Sequence, residues 1–216
     1  MSAPRCASNL PEACRAVHIR TVGSGGGPEA LELTELPLPW DELSARDVMV
    51  QVHAVGVTEQ DVLQRKGLTT HPPGHSPLPG REISGRIVAL GSKVTDGMLR
   101  LGDYVCALSN GGGYSEYTTV PAAQCLRLPS GVNVVEAACM PLAISASHGS
   151  REIAELERSL HGLYEVGAGH LACRVLVDSV YRLDQAVEAH YRMAAGVQGR
   201  VVLSVVDAPK CDANCT

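Results

Sequence analysis

Apolar and polar positions alternate from residue 47 to 55, with Val48, Val50, Val52 and Ala54 on one face and Met49, Gln51, His53 and Val55 on the other. Both faces carry apolar side chains, so the pattern predicts a strand covered on each side. Upstream, residues 16–21 read as a strand, 23–28 as a glycine-rich turn and 30–36 as a second alternating segment, a hairpin-like opening. The period then changes. Thr58 is placed to cap a short helix over 59–66: its hydroxyl can accept a first-turn amide, Asp61 takes the acidic third position, and Gly67 ends the helix. Four prolines between His71 and Gly80 exclude regular structure and predict a loop over the surface or over a pocket.

Beyond that loop, segments 83–90, 103–108, 114–120 and 124–128 are short and β-rich, punctuated by Gly91, Gly102, Gly111 to Gly113, and Pro129. Evenly spaced short strands with glycine turns predict a barrel-like or sandwich β core. Residues 134–140 predict a helix closed by Pro141, and 151–164 an amphipathic helix with Ile153, Leu156, Leu160 and Leu163 near one stripe. A strand over 174–180, a helix over 183–195 and a strand over 200–206 follow, and 207–216 read as a flexible tail. The expected class is α/β, dominated by β structure, with one domain over 16–206 and residues 1–15 as a loose extension.

A chain of 216 residues can bury an ample core without disulfides or metals, and with 3% aromatics and no Phe that core must be aliphatic. The net charge of -5 and the scattered Lys and Arg leave no footprint for a phosphate backbone, so no nucleic-acid partner is expected. The apolar run 201–206 is far too short to cross a bilayer, and no apolar signal core opens the chain. Pro4, Pro11 and Glu12 interrupt any presequence-like helix around Arg5 and Arg15. A cytoplasmic protein with no membrane association and eight reduced, dispersed cysteines is therefore expected.

Six ordered segments carry a resemblance. They are 30–36 after a Gly-Gly-Pro turn, Gly56-Val57-Thr58-Glu59-Gln60-Asp61, Pro79-Gly80-Arg81-Glu82-Ile83-Ser84-Gly85, Gly91-Ser92-Lys93-Val94, Leu101-Gly102-Asp103-Tyr104-Val105 and Gly112-Gly113-Tyr114-Ser115-Glu116-Tyr117. In this order they resemble the zinc-free, quinone oxidoreductase-like medium-chain dehydrogenases and reductases, and 177–190 with 199–203 resemble that family's C-terminal end. The resemblance implies a GroES-like β-barrel catalytic domain with a small helix-strand completion, normally joined to a Rossmann nucleotide-binding domain inserted ahead of that completion. Here only seven residues, 144–150, separate Pro141-Leu142-Ala143 from Arg151. A nucleotide-binding domain takes about 100 or more. The chain is read as lacking that domain, with Ser147-His148-Gly149-Ser150 as an engineered join, a splice junction or a natural shortening.

Gly167-Ala168-Gly169-His170-Leu171-Ala172 spells a nucleotide fingerprint, but a helix precedes it and a strand follows, the reverse of a working one, so it is read as a turn. The related zinc enzymes place a metal-binding Cys where this chain has Thr58 and a His where it has Arg81, so no zinc is expected. Cys211 and Cys215 read as an exposed spare pair. By the same resemblance Thr58, Asp61, Glu82 and Tyr114 line the catalytic site, and Thr58, Pro141 and Arg200 stand near the cofactor.

Each has a plain structural reading beside that one. Thr58 is equally a helix cap, Tyr114 a buried phenol, Glu82 a salt-bridge partner, and Arg200 a basic residue at a strand start. His53, His71, His75 and His190 have no triad or metal spacing and are assigned to surfaces or satisfied positions. The resemblance implies NADPH as hydride donor and a quinone or enone as acceptor. This chain is expected to bind no cofactor and to be inactive alone. The alternative is a non-catalytic module that binds a partner or forms a homodimer through an exposed apolar face.

Overall fold

The computed structural model describes residues 4–20, 26–69, 75–95, 97, 99–142 and 175–206. The predicted helix over 151–164, the Gly167 turn, the Ser147 to Ser150 junction and the tail lie outside them. Strands β2 (Ala13–Ile19) and β3 (Leu31–Pro37) form the predicted hairpin, a separate antiparallel pair running from Ala13 opposite Pro37 to Ile19 opposite Leu31. Within the expected N-terminal extension, β1 (Arg5–Cys6) pairs with the end of β5 (Glu82–Leu90), so part of that segment is sheet.

The remaining strands build one mixed sheet around β4 (Asp47–Val57), whose two faces are both buried over most of its length. β5 pairs along one edge of β4. The other edge is shared: β7 (Tyr117–Pro121) takes Asp47 to Gln51, and β10 (Arg200–Ser204) takes Ala54 to Val57. Beyond β5 lie β6 (Tyr104–Leu108) and β8 (Cys125–Arg127), and beyond β10 lies β9 (Val177–Arg182), which pairs with it in parallel.

The expected barrel is not closed. The path runs β8-β6-β5-β4-β10-β9, and its end strands β8 and β9 do not meet among the described residues. Closure requires every strand to pair on both edges. Here β4 forks between β7 and β10, and register shifts between Met49 and Val50 and between Val52 and Ala54 bend it against β5. The core is aliphatic as predicted: Val48, Val50, Val52, Ile83, Ile87, Val105 and Leu203 are buried, and Tyr114 is its one fully buried aromatic among the described residues.

Among the described residues, three α-helices attach to this sheet. α1 (Glu59–Arg65) has the predicted capping box, with the Asp61 amide donating to Thr58 Oγ1 at 3.3 Å and the Thr58 amide donating to the Asp61 carboxylate at 2.8 Å. Gly67, at φ +68, follows it. α2 (Val134–Ala137) is shorter than predicted, and α3 (Ala186–Ala194) follows a 3-10 turn over Leu183–Gln185. Thr58→Ala removes the cap acceptor and is expected to lower unfolding stability by about 1 kcal/mol, with Thr58→Ser close to neutral. A denaturant melt in which Thr58→Ala matches the parent chain would show that the cap carries nothing.

Candidate functional site

Three elements terminate together. β4 runs into Thr58 and α1, Glu82 opens β5 opposite Gly56, and Val201 pairs with Val57, which brings Arg200 alongside Thr58. Thr58, Asp61, Glu82, Pro141 and Arg200 are thus gathered at one end of the sheet.

Asp61 is the most enclosed group. Fully buried, its carboxylate accepts from the Thr58 hydroxyl at 2.7 Å, the Thr58 amide at 2.8 Å and the Gly80 amide at 2.7 Å. Burial pushes its pKa above the ordinary carboxylate value, and these donors only partly offset that. The arrangement commits the single hydroxyl proton of Thr58 to Asp61, so in this conformation Thr58 has only lone pairs to offer a ligand. Both readings of Thr58 therefore bear on the same atom, and the helix cap holds it.

Glu82, also fully buried, forms an ion pair with Arg200 and accepts from the Leu142 amide at 2.8 Å, which ties the buried Pro141 and its neighbour onto the site. Arg200 keeps a buried Nε with no hydrogen-bond partner. Burial pulls its guanidinium below the usual range, and the charge of Asp61 works against that. Arg81 is exposed and its backbone carbonyl accepts from Ser109, so this departure from the family pattern does not crowd the carboxylates.

Tyr114 lies one layer deeper than the others. It is fully buried, its ring packs against Gly80, and its phenol is 2.9 Å from His190 Nε2 with the two rings edge to face. Desolvation holds the phenol protonated well above its usual range, and burial, aided by the charge of Arg65, pulls His190 down to about 3, so the pair is neutral. His53 is likewise buried, pulled down to about 4 first by burial and then by Arg86. The Cys139 thiol is pushed up to about 12 by burial and is no nucleophile at neutral pH.

Sequence reasoning missed Arg65 and the role of His190. For Arg65 a signal existed: it stands four residues after Asp61, and the two are the buried positions of α1. For His190 no spacing pointed to Tyr114, which is 76 positions away. Among the described residues no three His, Cys, Asp or Glu side chains group as metal ligands.

This geometry defines the class. Residues 44–130, from the start of β4 to just beyond β8, match the model of the alcohol dehydrogenase GroES-like domain. The matched relatives narrow it further. The chain is 35% identical over 100 residues to a synaptic vesicle membrane protein VAT-1 homolog of Danio rerio, covering 46% of this chain and 20% of that protein. It is 32% identical over 133 residues to a quinone oxidoreductase-like protein 2 homolog of Nematostella vectensis, covering 61% of this chain and 36% of that protein. The solved quinone oxidoreductase of Coxiella burnetii superposes with a TM-score of 0.71 over 90% of this chain and 100% of that one; at 14% identity this likeness speaks for the fold alone. Residues 44–130 thus form an alcohol dehydrogenase GroES-like domain, and the chain is similar to quinone oxidoreductase-like proteins. It spans about a fifth to a third of the length of those two relatives.

Proposed function

We propose that this chain is the substrate-side part of a zinc-free, NADPH-dependent quinone or enone reductase, lacking its nucleotide-binding domain and inactive alone. The observation that carries the reading is the junction. Leu142, held at Glu82, and Val175, packed beside Ala138 and Cys139, are joined by only 32 residues. A dinucleotide-binding domain needs about 100.

Thr58 and Arg81 stand where the related zinc enzymes have a thiolate and an imidazole, and neither is a zinc ligand. NADPH, when bound to an intact enzyme, would supply the hydride. From this side Thr58, Pro141 and Arg200 would meet it. The described residues include no glycine-rich strand-turn-helix to hold its pyrophosphate. With the Thr58 proton held by Asp61, the unpaired Arg200 Nε is a donor left over for a carbonyl or a cofactor at this end of the sheet. A cytoplasmic setting belongs to the same proposal.

Calorimetry of the purified chain with NADPH, beside turnover of a simple quinone, tests this. Neither saturable binding nor turnover is expected; micromolar NADPH binding would overturn the reading. The second reading, a partner-binding or dimerising module, is favoured by Leu142, Leu176 and Val180, which are exposed near the two ends of that junction. A monomeric mass in solution counts against the homodimer form of it.

A further inference from the structure

Arg65 is 5% exposed, yet its guanidinium makes one hydrogen bond, from Nη1 to the Gly26 carbonyl at 2.6 Å, and its Nε has no partner. Among the described residues no carboxylate forms an ion pair with it. Glu29 is near enough to act on it electrostatically, without contact of that kind. A mostly buried cation with no ion-pair partner among the described residues is costly, and it marks a place where an anion would be welcome.

Arg65 lines a cavity of about 560 Å³ between α1 and α3, together with Val62, Lys66, Pro28, Tyr191 and Met193. The volume lies within the range of about 300–1,000 Å³ typical of small-molecule sites. Its two cations come from the C-terminal turn of α1, and Glu59, which also lines the cavity, stands at the start of that helix, about 9 Å away along its axis. Between them the wall is apolar, and Tyr191 is 49% exposed with its ring open to solvent contact.

We propose that this groove binds an amphipathic organic anion, a carboxylate on an apolar chain, with its head on Arg65 and Lys66. The chain lies along Val62, Pro28, Tyr191 and Met193. A guanidinium donates paired hydrogen bonds to a carboxylate, and the ring and thioether cover the chain without polar loss.

The test is calorimetry and thermal unfolding of the full chain with decanoate, with 1-decanol as its uncharged match and inorganic phosphate as a head without a chain. Decanoate saturates one site and raises the unfolding midpoint. Decanol and phosphate each bind weaker by about tenfold or more. Lys66→Glu and Tyr191→Ser, both on the surface, each weaken decanoate by about tenfold and leave the ligand-free midpoint in place. Arg65→Met abolishes the preference for decanoate over decanol; if that variant does not fold, the two surface variants decide. Equal binding of decanoate and decanol, no saturable decanoate binding, or decanoate binding unmoved by both surface variants overturns the site.

Discussion

Gly80→Ala is expected to cost the fold about 4 kcal/mol, from backbone strain of roughly 1–3 and overpacking of similar size. Gly80 sits at φ +94, and a Cβ there would lie 2.6 Å from the Tyr114 ring, 2.7 Å from its amide and 2.8 Å from the Gly113 carbonyl carbon. Two of those neighbours are backbone and cannot swing aside. The displacement would also strain the hydrogen bond that the Gly80 amide donates to Asp61, linking a packing defect to the candidate site. Gly67→Ala is the control: Gly67 has φ +68 and nothing within 4 Å of its added Cβ, so it reports strain alone, about 1–2 kcal/mol. If denaturant melts place both variants at the same midpoint, the crowding around Gly80 contributes nothing.

Asp61→Ala should destabilise by about 3–5 kcal/mol, since it strands three donors in the interior at about 1–3 each before any relaxation. Asp61→Asn should cost less, because the amide oxygen still accepts while the desolvated charge is gone. The pH dependence separates the two effects. The folded-state pKa of Asp61 is raised above its unfolded value, so the native state binds the extra proton. Its contribution is then fully present below the unfolded pKa and is lost as pH rises through the folded one. The parent chain should lose stability over that interval relative to Asp61→Asn, which lacks the titration. An identical pH slope in the two proteins would mean that Asp61 is not held as described.

Much of the fold could be read from the chain because its signals are local. The alternation over 47–55, the Thr58 to Asp61 box and the glycine punctuation all depend on near neighbours, and β4, α1 and most of the later strands follow them. The open sheet could not be read this way. It depends on β7 and β10 dividing one edge of β4, a competition between segments far apart in sequence. β1 was missed for a related reason: two residues have no period, and Arg5–Cys6 are a strand only because β5 offers them an edge.

The site divides along the same line. Thr58, Asp61, Glu82, Pro141 and Arg200 were named through motif resemblance and do converge, whereas the Tyr114 phenol faces His190 on a helix whose own residues say nothing of it. Arg65 carried a legible mark, an intra-helical spacing from Asp61, but a basic residue in a last helical turn reads first as a dipole complement.

The placement of β10 between β4 and β9 has a consequence for how the molecule forms during synthesis. Val201 to Ser204 hydrogen-bond to Val57 to Ala54, so the middle of the sheet is supplied by a segment translated long after both β4 and β5. While the ribosome is still adding the intervening chain, the edge of β4 at Ala54 to Val57 stands open, with buried-type side chains and unpaired amides exposed together. The non-local closure makes slow folding the expectation, and it makes the nascent β4–β5 pair the segment that chaperones should hold.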